Sequence, residues 1–458
     1  MNLYQTFLKN NYFFSKLFCK ELVKCYNKIM EVCQELKSLS KEFNKLGHKL
    51  YIVGGFVRNS LMGLHGTDID ITSTLPIEDL NKIVKKLKIK STNINPRLGT
   101  IQLRFNNVEM EYTKFRKESY GIHGKHTPTE IEFVSDIEID ALRRDFTINS
   151  LYYDIEEDRI IDLVGGQKDL QKGIIKTTCD PITTLSDDGL RILRAIRFAS
   201  TLNFSIHKST FKSLKSFTPL LNQISKERIL KELSLITISD LKYGKPNTTF
   251  LNLCNKLRLP QYIFNSRLNS IKKISKKESL KFYTLNEKSR LVGFYILVLK
   301  NYFLGYIDST QLGYSINMIL GRDGIKESLD TIHTTEKIYR IFQNLEYNQD
   351  TLNASINYLT LSDSEREIIL AFLSKKANSV LFDKISHIKN NNLPLNVHQL
   401  DITAQDLIDI GVEKKYISKL LSTLYNQVLN MCAPNEKQEL INLAKNINET
   451  FNKIKEIS

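Results

Sequence analysis

The chain uses cysteine sparingly and in no arrangement that would close a structure. Its six cysteines, at positions 19, 25, 33, 179, 254 and 432, include no CxxC pair. Neither a disulfide framework nor a structural zinc site is therefore suggested, no secretory leader is read at the start, and a reducing cytoplasm fits best. Long apolar runs are missing too. The most apolar, residues 291–299, has nine residues, whereas a spanning helix needs roughly twenty. It reads as a buried helix segment and argues against membrane insertion. No internal repeat or long low-complexity tract is present.

What the chain does have is length and positive charge. At 458 residues it exceeds the size at which one core stops growing, so several domains are expected. A hydrophobic fraction of 41% supports globular packing. The formal charge of +15 and pI near 9.2 suit a partner dense in negative charge, either a nucleic acid or an anionic membrane surface. Charge alone does not choose between them. The first 29 residues carry five lysines, no arginine and one acid, Glu21, and precede Met30 and a helical pattern at 31–45. They read as an extension, either ahead of an internal start or disordered. A mitochondrial presequence, usually rich in Arg and Ser, fits them only in part.

Between residues 48 and 165 the pattern is mixed, with β-rich runs at 48–53, 100–105 and 108–115. From Gly166 onward apolar positions recur at spacings of three and four, as in Leu190, Leu193 and Phe198, a helical rhythm. The chain is thus expected to be α+β at its head and helical thereafter. Turn residues at 242–247 and 390–394 mark boundaries within the helical part.

The segment Val53-Gly54-Gly55-Phe56-Val57-Arg58 leaves an expected strand and enters an expected helix. Two glycines let the backbone approach a ligand, and a helix N-terminus offers free N–H groups to a phosphate. Arg58 adds a charged fork. Ten residues later Asp68 and Asp70 share one face of a short strand by its two-residue period. Two ionised carboxylates side by side repel unless a cation lies between them, and oxygen ligands of this kind suit Mg²⁺. A pair of such ions would activate an attacking hydroxyl and stabilise a leaving pyrophosphate. An isolated DxD, however, is most often a solvated edge strand. A third acid comes from the strand after the Asn106-Asn107 turn, where Glu109 and Glu111 alternate with Val108, Met110 and Tyr112.

Further motifs follow in order: Arg143-Arg144-Asp145-Phe146-Thr147-Ile148-Asn149, then 162–170 with Gly165 and Gly166, then 187–198 with Asp187, Asp188, Arg191, Arg194 and Arg197, then 224–233 with Glu227, Arg228 and Glu232. Arg191, Arg194 and Arg197 recur every three residues and share a helix side. Such a stripe is usually a solvated face, but here it follows Asp188 and leaves Leu190, Leu193, Ile196 and Phe198 to a core, which favours a nucleotide-facing groove.

Taken together, these residues resemble the class II tRNA nucleotidyltransferase and bacterial poly(A) polymerase family, a branch of the polymerase β-like superfamily. The resemblance covers about residues 50–235. It implies an α+β fold, a polymerase β-like nucleotidyltransferase head (30–165) after the extension (1–29), then an all-helical neck (166–240), body (241–390) and tail (391–458). It implies metal binding by Asp68 and Asp70, selects Glu111 over Glu109 as the third acid, and assigns triphosphate contacts to Gly55 and Arg58. Arg143, Arg144, Asp145 and Asn149 resemble a ribose-reading motif, and Asp188 with Arg191 a pair that reads the incoming base by hydrogen bonds. Asp187 is expected to serve helix N-terminal charge or local ion pairing. Two departures stand out. Asn59 occupies a position where the family commonly has Asp, placing local ion pairing at the phosphate grip in doubt, and Gly189 falls inside an expected helix.

The implied activity is template-independent addition of CCA to the 3′ end of tRNA from CTP and ATP, with Mg²⁺ as cofactor. The tRNA is expected to be held by its acceptor arm and elbow, without a membrane partner. Residues 116–130, with Gly121, Gly124, Lys125, His126 and Pro128, resemble the family's flexible loop, which argues mildly against an enzyme that adds only C. Residues 400–428 resemble the tail that binds the tRNA elbow. No His-Asp pair marks a fused phosphohydrolase domain. An A-adding or CC-adding enzyme, a poly(A) polymerase and a catalytically silent RNA-binding relative remain as alternatives. The sequence leaves the oligomeric state open.

Overall fold

Strands whose side chains alternate between a buried and an open face organise the first of two units, residues 1–269 with 324–326; the second holds 270–323 with 327–458. The computed structural model describes residues 32–64, 68–121, 128–243, 248–264 and 272–457. The expected extension 1–29 thus lies outside the described residues, as do Thr67, residues 122–127 and residues 244–247.

The first unit opens with α1 (Gln34–Lys45), β1 (Tyr51–Val53), α2 (Gly55–Leu61), β2 (Ile69–Ser73) and α3 (Ile77–Lys86). It continues through β3 (Lys90–Asn95), β4 (Thr100–Phe105) and β5 (Val108–Lys114), and, after a small hairpin, reaches β8 (Leu151–Asp154) and β9 (Arg159–Asp162). Seven of these strands form one sheet in the order β3-β4-β5-β2-β1-β8-β9. The β2–β5 pair is parallel and its neighbours are antiparallel. Ile71, Met110, Tyr112, Ile101 and Leu103 point to one face and pack with Leu39, Phe43, Leu80 and Ile83 from α1 and α3. Because strand side chains alternate, this burial sends Asp70 and Glu111 to the opposite face.

The hairpin pairs β6 (Arg116–Ser119) antiparallel to β7 (Glu130–Phe133). Residues 116–130, expected as a loop, are therefore strand at their start, and Gly124, Lys125 and His126 lie outside the described residues. Next come α4 (Ile137–Leu142), a 3-10 turn at Thr147–Asn149 and α5 (Gly166–Lys172). The Asp162 carboxylate caps α5, accepting from the amides of Gly166 (2.8 Å) and Gln167 (2.9 Å). Gly166 packs so closely that a Cβ there would sit 2.2 Å from the Thr147 carbonyl oxygen.

The helical part of this unit begins with β10 (Ile174–Ile175), α6 (Pro181–Asp187), α7 (Leu190–Leu202), β11 (Ser205–Ile206), α8 (Lys208–Phe217) and α9 (Lys226–Thr237). It is not wholly helical, since β10 and β11 form a short parallel pair. Leu190, Leu193, Ile196 and Phe198 are buried, as their spacing predicts. Gly189 stands ahead of α7 rather than inside it, so the helix-interior penalty of glycine does not apply. Asp187 ends α6 instead of opening a helix, and the capping oxygen is Oδ1 of Asp188, which accepts from the Leu190 amide at 2.9 Å.

The second unit is helical throughout its described residues. The apolar run 291–299 lies in a helix spanning Glu287–Tyr302, with Phe294 to Leu299 all buried. Toward the C-terminus, Leu400, Leu407, Leu420, Leu424 and Val428 form a core with Leu440 and Ala444. Serine and threonine capping boxes at Ser275, Ser362 and Thr403 start three of the helices. Among the described residues no helix is long and apolar enough to cross a membrane.

Candidate active site

Strand β1 ends where Gly54 adopts φ +79° and ψ −133°, a conformation that a side chain disfavours. A Cβ there would also lie 3.3 Å from Oδ2 of Asp70, so the missing side chain leaves room for the carboxylate against the turn. In the sheet register Asp70 sits between Val53 and Glu111. Asp68 lies two residues before Asp70, just ahead of β2. Burial pushes the Asp70 carboxyl above its ordinary value; Arg144 opposes this and the charge of Asp68 adds to it. Glu111 is raised by burial and then by Asp70. Glu109 is turned to the exposed Arg104, at 3.8 Å.

Burial is the main cause for both groups, and a neighbouring carboxylate adds to it in each, which a cation between them would relieve. Among the described residues no three His, Cys, Asp or Glu side chains close on a common point. An open pair of aspartates with a third acid alongside fits Mg²⁺, which keeps waters and takes phosphate oxygens as further ligands.

Behind the turn, Arg58 is buried on α2. Its Nη1 donates to Oδ1 of Asn149, while its Nε and Nη2 donate to Oδ1 of Asn59 at 3.1 and 2.8 Å. Asn149 in turn donates to Asp145 (3.1 Å), which accepts from Nε of Arg194 (2.8 Å). On α9, Glu232 accepts from Nε of Arg197 (2.8 Å) and lies 3.9 Å from Arg194. Arg58, Arg194 and Arg197 all approach the Phe198 ring, at 5.1, 5.4 and 4.4 Å from its centroid. A continuous polar chain thus runs from the Gly-Gly turn to the arginine stripe of α7. Burial alone would push Asp145 up, but Arg194 and the Asn149 hydrogen bond outweigh it and hold the carboxyl below its usual range.

The structure divides the four residues expected to read ribose. Asp145 and Asn149 belong to the polar chain, while Arg143 and Arg144 turn to Asp140, a fully buried acid that the sequence reading missed. Arg143 reaches Oδ1 of Asp140 at 2.7 Å and Arg144 reaches Oδ2 at 2.9 Å. Tyr152 donates to the same Oδ2 at 2.7 Å. Burial opposes the Asp140 charge, yet the two arginines outweigh it and hold the carboxyl well below the usual range. The signal was legible, because Asp140 stands three and four residues before the arginines on one helical face.

At the head of α7, Asp188 is buried and 3.8 Å from Nε of Arg191. Burial pushes its carboxyl up to about 6, with Arg191 pulling against it. Arg191 also donates to the carbonyls of Thr184 (3.0 Å) and Arg143 (2.8 Å). Its guanidinium lies 5.8 Å from the ring centroid of Tyr120, whose hydroxyl donates to Glu118 at 2.5 Å. Glu118 pairs with Arg116 and Arg143 in turn. Gly55 opens α2, with Nη2 of Arg58 3.7 Å from where its Cβ would be.

Residues 50–176 match the model of the poly A polymerase head domain, and residues 203–264 match that of the probable RNA and SrmB-binding site of polymerase A. The chain is 37% identical over 212 residues to the CCA-adding enzyme of Lactobacillus helveticus, covering 46% of this chain and 50% of that protein. It is 33% identical over 198 residues to poly(A) polymerase I of Salmonella typhi, covering 41% and 42%. The matched part thus spans about half the length of the curated relatives. Among solved structures, the Bacillus stearothermophilus CCA-adding enzyme in complex with CTP superposes with a TM-score of 0.58 at 21% identity, covering 92% of this chain and 98% of that one. The Thermotoga maritima CCA-adding enzyme complexed with tRNA gives 0.62 at 19%, covering 93% and 97%. Residues 50–176 are therefore similar to the poly A polymerase head domain, and the chain shares its fold with CCA-adding enzymes of known structure.

Proposed function

We propose that the protein adds CCA to the 3′ end of tRNA, taking CTP and ATP without a nucleic-acid template. One observation carries this reading: the Asp70 carboxylate lies 3.3 Å from where a Cβ on Gly54 would be, and Arg58, Asn149, Asp145 and Arg194 then connect that turn to the helix that follows Asp188 and bears Arg191. Reacting carboxylates, phosphate grip and base-reading groups are thereby held in one rigid relation, as a displacement at a single phosphorus requires.

Asp68 and Asp70 would hold Mg²⁺, with Glu111 beside Asp70. When bound, the ions supply positive charge to the attacking hydroxyl and the leaving pyrophosphate. Arg58, above the Gly54-Gly55 turn, offers its charge to the triphosphate. Asp188 accepts from the exocyclic amine of cytosine or adenine, and Arg191 donates to ring or carbonyl acceptors. A base that does not match these groups would forgo their hydrogen bonds, which disfavours it by a few kcal/mol. The similar curated proteins include CCA-adding enzymes, and the solved structures of the same fold include complexes with CTP, ATP and tRNA. The helical residues after the head, with the net charge of +15, suit an acceptor arm held by phosphate contacts and shape. A cytoplasmic setting accords with the free thiols of Cys33, Cys179, Cys254 and Cys432.

The test supplies purified protein with tRNA lacking CCA, Mg²⁺ and single labelled nucleotides. Incorporation of two C residues followed by A supports the reading. Addition of A alone to tRNA ending in CC would replace it with an A-adding specialist, and addition of C alone with a CC-adding one. The match to poly(A) polymerase I favours one other reading, which long A tails on unrelated RNA would establish.

A further inference from the structure

Arg58 is a buried cation whose side-chain hydrogen-bond partners are neutral. Its two acceptors are the amide oxygens of Asn59 and Asn149, and its guanidinium lies over the Phe198 ring. Among the described residues no carboxylate is in ion-pair contact with it, although Asp145 is one hydrogen bond further along. Burial pushes its pKa down to about 10; Tyr243 and Asp145 pull against this, and the like charges of Arg197 and Arg194 add to it. The Arg58 guanidinium thus has no carboxylate directly on it among the described residues, and an incoming anion would supply that charge.

The amide of Asn59 is held from outside the head motifs. Its Oδ1 is taken by Arg58, and its Nδ2 donates to the Tyr243 hydroxyl at 3.2 Å. Tyr243 lies 184 residues further along the chain, beyond α9. Because a guanidinium only donates, Arg58 takes the accepting end of the amide, and the Tyr243 hydroxyl receives the donating end and anchors the side chain there. A carboxylate at position 59 would hold the guanidinium as well but would cancel its charge.

We infer that Asn59 and Tyr243 are positioning residues that aim the Arg58 guanidinium at the triphosphate of the incoming nucleotide while leaving its charge uncompensated. The inference rests on the reading of Arg58 as the phosphate grip, and the experiment separates the two. Four forms are compared: the unaltered chain, Asn59→Asp, Tyr243→Phe and Arg58→Ala. KM and kcat are measured for CTP and ATP at saturating tRNA and for tRNA at saturating CTP, and inorganic tripolyphosphate is titrated as a competitor that lacks any base.

Asn59→Asp raises KM for CTP and ATP alike by about tenfold, weakens tripolyphosphate inhibition equally and flattens its salt dependence, because one net charge is lost. Tyr243→Phe, which keeps the ring and removes one hydrogen bond, raises both nucleotide KM values about threefold to fivefold. In both variants kcat and the KM for tRNA stay within about twofold of the unaltered chain, a split that general loss of structure would not give. Unchanged nucleotide KM in Asn59→Asp and Tyr243→Phe, with a large rise in Arg58→Ala, overturns the positioning roles while keeping the grip. Unchanged nucleotide KM in Arg58→Ala overturns the grip itself. A fall in kcat equal to the rise in KM, or a matching rise in the KM for tRNA, also overturns the inference, since either would make the pair structural supports.

Discussion

Asp188, proposed to read the incoming base, would serve recognition at the expense of stability. Its carboxyl titrates at about 6 in the folded chain against an ordinary 3.8, so between those values the folded protein holds a proton that the unfolded chain has released. The charged form thus destabilises the fold by up to about 3 kcal/mol above pH 6, and the penalty vanishes as pH falls below about 4. Asp188→Asn, whose Oδ1 still accepts from the Leu190 amide, should raise the melting temperature at pH 7 while weakening the choice between bases. In the unaltered chain, KM for CTP should rise as pH drops through about 6, and that inflection should be missing from the variant. The carboxylates of β2 call for a different measurement. Asp68→Ala is expected to abolish nucleotide incorporation while leaving tRNA binding, followed by gel shift, largely intact; full incorporation by this variant would sink the metal assignment.

At the scale of elements, the site depends on close backbone approaches that glycine permits. Gly166, the first residue of α5, leaves no room for a methyl group against Thr147, which begins the turn carrying Asn149. The clash is with backbone, so neither element yields cheaply. Gly166→Ala should destabilise the protein by about 1–3 kcal/mol in urea unfolding, and raise KM for nucleotides by shifting Asn149 relative to Arg58. An unaltered KM with lowered stability would show that the turn moves without disturbing the polar chain. The period of two on β2 and the period near 3.6 on α7 were both legible from residue order, since each follows from the geometry of a single element. The start of the hairpin at 116–119 was not, because Gly121, Pro128 and nearby polar residues look like loop, and pairing with 130–133 supplies the order.

Taken whole, the molecule carries an excess of 15 positive charges while its site buries several of its arginines in ion pairs with Asp140, Asp145 and Glu232. Those paired arginines leave the lysines and the remaining arginines for long-range attraction. Binding of tRNA should accordingly weaken with salt, by at least about tenfold between 50 and 200 mM if several phosphates are neutralised. Fluorescence anisotropy with labelled tRNA checks this, and a flat response would argue against phosphate contacts as the main source of affinity.

Residue order by itself determined the mixed head and helical remainder and the core positions of α7, because each depends on periodicity within one element. Only the tertiary structure decided that Asp70 lies in register with Glu111 and that Tyr243 reaches Asn59. Those pairings join side chains brought together by strand order and helix packing, and no spacing along the chain encodes such distances.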